Sequence, residues 1–265
     1  MPRLFHLIFI VCLQVVMPLQ ANAANTSPST FVSSKVWKKV EEFMMPNNHP
    51  AKPILDQIFS QSRAFLNMEA MQLAGFAPAI PQHHTHIIVT RHPALPGYVI
   101  KAYLDEQPYH SGEPEHFFWI KRVTGAKLIQ EFINEHHYGH LFKVPQKWIY
   151  LIPDEPAPPS DYLRKMFILV ETDMDIFDDA TNQTLWGSNI VTEELLNALY
   201  VTTTELGLFD CAKPANCSFS KDGRAAFVDT QSFHKKKVKY YKLTPFLSPE
   251  MQKYWGNLIK TKGKV

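Results

Sequence analysis

The stretch from Gly207 to Ser232, GLFDCAKPANCSFSKDGRAAFVDTQS, constrains this chain more than any other. It ends a helical pattern at Gly207 and makes a Lys-Pro-x-Asn turn at Lys213–Asn216. It then reverses through Ser-Lys-Asp-Gly and returns as an apolar run, Arg224 to Val228, that delivers Asp229. Asp and Gly supply the tight reversal of a short hairpin. Two oxygen donors, Asn216 and Asp229, therefore bracket a small hairpin, with Asp210 just upstream.

Composition bounds the rest. The 265 residues are 45% hydrophobic and 20% charged, ordinary values for one large domain or two lobes. A formal net charge of +2 creates no strong field toward nucleic acid or membrane, so no nucleic-acid partner is expected. Twenty prolines against ten glycines favour fixed turns over flexible linkers. Arg3, the apolar stretch Leu4–Leu19 and the small-x-small triplet Ala21-Asn22-Ala23 read as a signal peptide cut after Ala23. His6, Gln14 and Pro18 interrupt that stretch, which falls short of the ~20 residues a membrane span needs. The expectation is an exported protein, periplasmic or secreted, with no transmembrane segment in the mature chain. Export permits a Cys211–Cys217 disulfide across the Asn216 turn; two free buried thiols are the alternative.

Periodicity predicts a helical N-terminal extension over residues 24–80, with helices near Lys35–Met45, Ile54–Phe59 and Arg63–Leu73. Ser33 or Ser34 caps the first, and Gly75 ends the third. From Thr85 the period changes to that of strands. Ile87–Val89 and Tyr98–Tyr103 read as a hairpin with Lys101 inside its second strand, either at a site or snorkelling from an exposed sheet face. A long helix follows over Glu115–Tyr138, then strands at Val144–Ile152 and Met166–Val170, the second ending in acidic residues from Glu171 to Asp175. A loop through Ser188 leads to a helix capped by Thr192. A short helix near Ile259 closes the chain. The segments expected are a signal peptide (1–23), the extension (24–80), a sheet-plus-helix lobe (81–172) and a second lobe (173–265).

This order resembles the core of the protein-kinase-like superfamily. Val99-Ile100-Lys101 resembles the strand that ends in the phosphate-orienting lysine. Phe167–Glu171 resembles the strand entering the hinge, where backbone groups near Glu171 would meet an adenine. Lys213-Pro214-Ala215-Asn216 is similar to the end of a catalytic loop, and Phe227-Val228-Asp229 to the strand that leads into the metal-binding Asp. Ser248-Pro249-Glu250 is similar to the motif that closes the activation segment. The resemblance implies an α+β, two-lobed kinase-like fold with a shortened C-terminal lobe. It implies ATP and Mg²⁺ as cofactors, with Asn216 and Asp229 on the metal and Lys101 and Glu171 at the nucleotide. Asp210 and Lys213 would be the catalytic pair. The long helix should supply a glutamate to Lys101, with Glu131 first and Glu135 and Glu115 as alternatives.

The chain also departs from the pattern. Cys211 stands where the catalytic Asp belongs, five residues before Asn216, and Asp210 comes one residue early. No Gly-rich loop precedes Lys101; Ala74-Gly75-Phe76-Ala77 is a poor substitute. Only fifteen residues follow Glu250. Exported proteins also meet little ATP. The expected function is thus an exported, atypical or degenerate kinase-like protein that meets a protein partner after export. The alternatives are a purely binding protein and a histidine-based metal site at His83-His84-x-His86 or His136-His137-x-x-His140. The basic run His234–Lys242 reads as a solvated loop or a dock for an acidic partner or phosphate.

Overall fold

The computed structural model describes residues 27–78, 86–109 and 112–264. The expected signal peptide at 1–23 and the histidines His83 and His84 lie outside the described residues. Helices α1 (Ser34–Val40), α2 (Lys52–Gln61) and α3 (Met68–Leu73) precede strands β1 (Ala77–Pro78), β2 (Ile88–Arg91) and β3 (Tyr98–Ala102). The long helix α4 (Glu115–Glu135) follows, then β4 (Phe142–Lys143), β5 (Lys147–Leu151) and β6 (Phe167–Thr172). Helices α5 (Asp179–Trp186) and α6 (Glu193–Glu205), the hairpin β7 (Cys217–Phe219) and β8 (Ala225–Phe227), and α7 (Pro249–Thr261) complete the mixed α+β fold. No helix among the described residues is long and apolar enough to cross a membrane.

An antiparallel sheet of order β1-β2-β3-β6-β5 forms the first half. Its central strands are buried on both faces, which is why they read as nearly continuous apolar runs. Alternation sorts those side chains. Ile100, Ala102, Ile168 and Val170 meet Leu55, Phe59 and Met71 from α2 and α3 on one face. Phe167, Leu169 and Ile149 meet Trp119 and Val123 of α4 on the other. The N-terminal helices are therefore one cover of the sheet rather than an appendage. A buried bidentate pair fastens the cover: Arg63 Nε lies 2.7 Å from Asp105 Oδ2 and Arg63 Nη2 lies 3.0 Å from Oδ1.

The second half packs α5, α6 and α7 around a three-stranded sheet of order β4-β8-β7, with Trp186, Leu199, Phe219, Phe227 and Trp255 at its centre. Helix α4 joins the halves. Trp119 and Val123 enter the first core, and Ala126, Ile129 and Ile133 enter the second. Strand β4 precedes residue 172 but pairs in parallel with β8, so the expected boundary at 172/173 does not separate the two cores.

Several expectations match the local chemistry. Ser33 and Thr192 accept hydrogen bonds from Val36 N and Leu195 N as helix caps. Others differ. Asn67 caps α3, so that helix starts at Met68 rather than Arg63. The long helix ends at Glu135 because His137 turns left-handed, with φ at 58°, before Gly139 is reached. The region read as a loop before Ser188 holds α5, capped by Asp178.

Gly125 marks the closest approach between α4 and the chain after β8. A Cβ there would stand 1.8 Å from the Thr230 carbonyl oxygen. Thr230 Oγ1 in turn donates to the Arg122 carbonyl at 2.6 Å. Helix propensity alone favours Ala over Gly by about 1 kcal/mol. Gly125→Ala should nonetheless lower unfolding free energy, by about 1–3 kcal/mol, because the clash is with backbone. Urea denaturation checks this, and unchanged or raised stability would contradict the close approach.

Candidate functional site

Strand register assembles a three-membered charge cluster. Val99 of β3 and Lys147 of β5 both oppose Glu171 of β6. Residues two apart on a strand share a face, so Lys101 and Lys147 flank Glu171 on the side that faces α4. Lys101 Nζ lies 2.8 Å from Glu171 Oε1, and Lys147 Nζ lies 2.9 Å from Oε2. Both ammonium groups also donate to the Val228 carbonyl, at 3.2 and 3.0 Å. The Lys147 side chain is wholly buried, and the other two are nearly so. Burial would raise the Glu171 carboxyl, but Lys101 and Lys147 outweigh it and hold it below the usual value. Burial pulls Lys147 down to about 8, opposed by Glu171 and reinforced by Lys101.

One residue beyond Val228, Asp229 Oδ1 meets Arg122 Nη1 of α4 at 3.0 Å. Burial would raise this carboxyl too; Arg122, Lys101 and Lys147 together lower it. Asp229 remains the open edge of the cluster, with 29% of its side chain exposed against 7% for Arg122.

The Lys213–Asn216 turn lies alongside. Asn216 O accepts from Val228 N at 3.1 Å, and Asn216 Nδ2 donates to Asp210 O at 2.8 Å. Between them lies a tight turn in which Lys213 N donates to Cys211 O at 2.8 Å. Cys211 faces inward and Asp210 outward, so Asp210 reaches both Asn216 and Lys213. Its carboxylate is ringed by lysines: Lys213 Nζ at 2.6 Å, Lys242 Nζ at 2.7 Å and Lys239 Nζ at 3.8 Å. Burial opposes the shift, but hydrogen bonds from Lys213 and Lys242 carry this carboxyl below its ordinary value. Asn182 of α5 buttresses the turn from behind by donating to Pro214 O at 2.8 Å.

Lys101, Glu171, Asp210, Lys213, Asn216 and Asp229 thus form one connected region. Glu131 does not join it. It is exposed on α4, nine residues from Arg122, which at 3.6 residues per turn is the opposite side of the helix. Glu135 is also exposed. Glu115 is buried at the start of α4, where its carboxylate accepts from Met166 N at 2.6 Å and Phe167 N at 3.2 Å. The acidic partner of Lys101 is Glu171 instead. Glu171 therefore contributes an inward side chain, not a free hinge backbone. The next donors are also spent internally, Thr172 N on Gln146 O and Asp173 N on Gly97 O.

Cys211 and Cys217 are free, buried thiols, and Cys211 Sγ donates to the Asp229 carbonyl at 3.3 Å. Burial pushes both thiols up, so neither is poised as a thiolate. Among the described residues no group of three or more His, Cys, Asp or Glu side chains is placed to hold a metal. His140 pairs with Glu194 at 2.9 Å, and His136 stacks on Phe132. Ser248 caps α7, with Pro249 in its first turn.

Sequence reasoning missed Arg122, Lys147 and Gly125, and it placed Lys242 only in a basic run, not beside Asp210. Two of them left a signal. Lys147 falls on the same alternating face as buried Ile149, and Arg122 lies among Trp119, Val123 and Ala126 on an apolar helix stripe. A cation in such a position needs a buried anion.

As arranged, the residues do not fit a divalent metal. Mg²⁺ demands several oxygen ligands in near-octahedral geometry. The carboxylate assigned to it already holds a fixed guanidinium, and two further cations stand one residue away. The site suits an anion better than a cation.

Neither a model of a known protein family nor any curated protein sequence matches this chain.

Removing the anion should hurt more than removing a cation. Glu171→Gln leaves two buried ammonium groups unpaired and should cost about 3–5 kcal/mol, whereas Lys147→Met keeps one pair and should cost clearly less. Equal losses in urea denaturation would contradict the shared cluster. The pH dependence has a definite sign. In the folded protein Lys147 releases its proton near 8, against 10.5 unfolded. The unfolded chain binds more protons between those values, so the Lys147 contribution to stability rises from pH 8 to 10.5 and is flat below pH 8. The difference between wild type and Lys147→Met should show that rise.

Proposed function

We propose that this chain is an exported, kinase-like protein that binds a nucleotide or similar phosphate ligand and has lost, or nearly lost, phosphoryl transfer. The convergence of Lys101 on Val228, directly before Asp229, carries the reading. It joins a strand lysine to the Asp-bearing strand across 127 residues of sequence. The sheet order, with α4 between β3 and β5, supports the same resemblance. An ammonium has three donors, and Lys101 spends two, on Glu171 and Val228, leaving one for a phosphate oxygen.

Weak or absent catalysis follows from the charges. Phosphoryl transfer needs a carboxylate to receive the substrate proton and metal to neutralise the phosphates. Asp210 is enclosed by lysines and Asp229 by Arg122, so both are stabilised as anions and poorly basic. The chain's own residues can hold and orient a phosphate. Deprotonating a substrate is the step for which they are least suited.

A binding role centred on a partner protein is the second reading, favoured by exposed Lys235, Lys236 and Lys237 in the basic segment. The segment is held in place rather than loose, because His234 N and Lys235 N donate to Leu206 O and Gly207 O at 2.8 and 3.0 Å. An acidic partner segment would complement it.

Thermal shift and phosphotransfer assays on the mature protein separate these outcomes. ATP at about a hundred times its Kd should stabilise the protein by ~2.7 kcal/mol, a Tm rise of about 5–10 °C. Lys101→Met should abolish the rise, and labelled phosphate should not be transferred to protein substrates. Transfer that is lost in Asp210→Asn would show an active kinase. No shift with any nucleotide would leave the protein-binding reading.

A further inference from the structure

Arg122 pairs with Asp229, the carboxylate to which the kinase-like resemblance assigns a metal. Its side chain is 7% exposed, and its Nη1 lies 3.0 Å from Asp229 Oδ1. It is built in rather than draped over the surface. Its carbonyl accepts from Thr230 Oγ1 at 2.6 Å, and its Cζ lies 5.9 Å from the Trp119 ring centroid. Gly125, one turn along α4, touches the Thr230 backbone. A guanidinium keeps its charge at any ordinary pH, and its planar fork matches phosphate oxygens.

Charge and hydrogen bonding point the same way. Among the described residues, Arg122, Lys101 and Lys147 pair with two carboxylates, Glu171 and Asp229, which leaves one positive charge in excess. The Arg122 Nε is buried with no hydrogen-bond partner among the described residues. Asn216, the other expected metal ligand, turns its amide NH₂ to the Asp210 carbonyl. Adding a divalent cation would worsen the excess, whereas a phosphate would neutralise it. Asp229 is the partly open member of the cluster, with Arg122 directly behind its carboxylate.

We propose that Arg122 is the resident cation of this charge cluster, standing on Asp229 in place of a divalent metal, so that a nucleoside di- or triphosphate binds here without metal. The proposal rests on the nucleotide-binding reading above, and it adds which group neutralises the phosphates. Helix α4 then does by side chain what a kinase-like site leaves to a diffusible ion, and affinity is independent of Mg²⁺ supply outside the cell.

The test is equilibrium binding of a fluorescent ATP analogue to the mature wild-type protein, displaced by unlabelled ATP, in excess Mg²⁺ and in excess EDTA. Equal Kd values in the two buffers are expected. In Arg122→Gln the Kd in EDTA should rise about 10- to 100-fold, the range for a lost charged hydrogen bond, and Mg²⁺ should restore part of it. Arg122→Lys should keep metal-free binding, weakened by loss of the fork. Wild-type binding that is at least about tenfold tighter with Mg²⁺, a difference of 1.4 kcal/mol, overturns the inference and leaves the nucleotide reading standing. An unchanged EDTA affinity in folded Arg122→Gln overturns the assignment to that residue. No binding in either buffer removes the nucleotide reading and this inference with it. The wild-type comparison needs no variant, so it decides the matter even if Arg122→Gln does not fold.

Discussion

Helix α4 lies so close to the chain after β8 that only a glycine fits at position 125, and the candidate site depends on that approach. The contact is backbone to backbone at Thr230, so it cannot relax by a rotamer change. It fixes how far Asp229 stands from the helix. The same helix fills both hydrophobic cores, with Trp119 and Val123 in one and Ile129 and Ile133 in the other. A shift of α4 would therefore disturb packing on both sides before it moved Arg122 from Asp229. Close-packed interiors respond to such shifts in discrete steps rather than smooth ones.

The second organising principle is charge. Lys147, Lys101, Glu171 and Arg122 are removed from water, where an unpaired ion is costly. Each carboxylate consequently sits among cations supplied by other elements: Glu171 between β3 and β5, Asp229 against α4, Asp210 beside the segment carrying Lys239 and Lys242. This arrangement stabilises anions, the protein's own and those of a ligand. It suits binding better than proton abstraction, which is why the proposed role is that of a phosphate-ligand binder within a kinase-like framework.

Much of the fold was legible along the chain because it is written in local chemistry. Caps at Ser33 and Thr192, alternation in Tyr98–Ala102, and the Ser-Lys-Asp-Gly reversal before β8 all rest on neighbours within a few residues. The errors have equally local causes. Helix α5 was hidden because its sequence, DATNQTLW, has weak helical periodicity; its anchors are Asn182 to Pro214 O and Trp186 to Cys217 O, contacts about thirty residues away. Strand β4 is two residues long and exists only through pairing with β8. For the site, Lys101, Asn216 and Asp229 stood out by motif. The partner of Lys101 did not, because Glu131 looked central by sequence position while helical phase turned it to solvent.

By itself the sequence determined the order of most elements, a lysine inside β3, and the spacing of Asn216 and Asp229 across a hairpin. These follow from periodicities of two and 3.6 and from turn residues, all short-range properties. Only the tertiary structure decided which charges meet. Strand register placed Lys147 opposite Glu171, the phase of α4 turned Arg122 rather than Glu131 toward Asp229, and one tight turn brought Asp210 to Asn216. Partners such as Arg122 and Asp229 stand 107 positions apart. Their pairing is fixed by packing and by the cost of leaving a buried charge alone, and neither acts at the range over which a sequence pattern can be read.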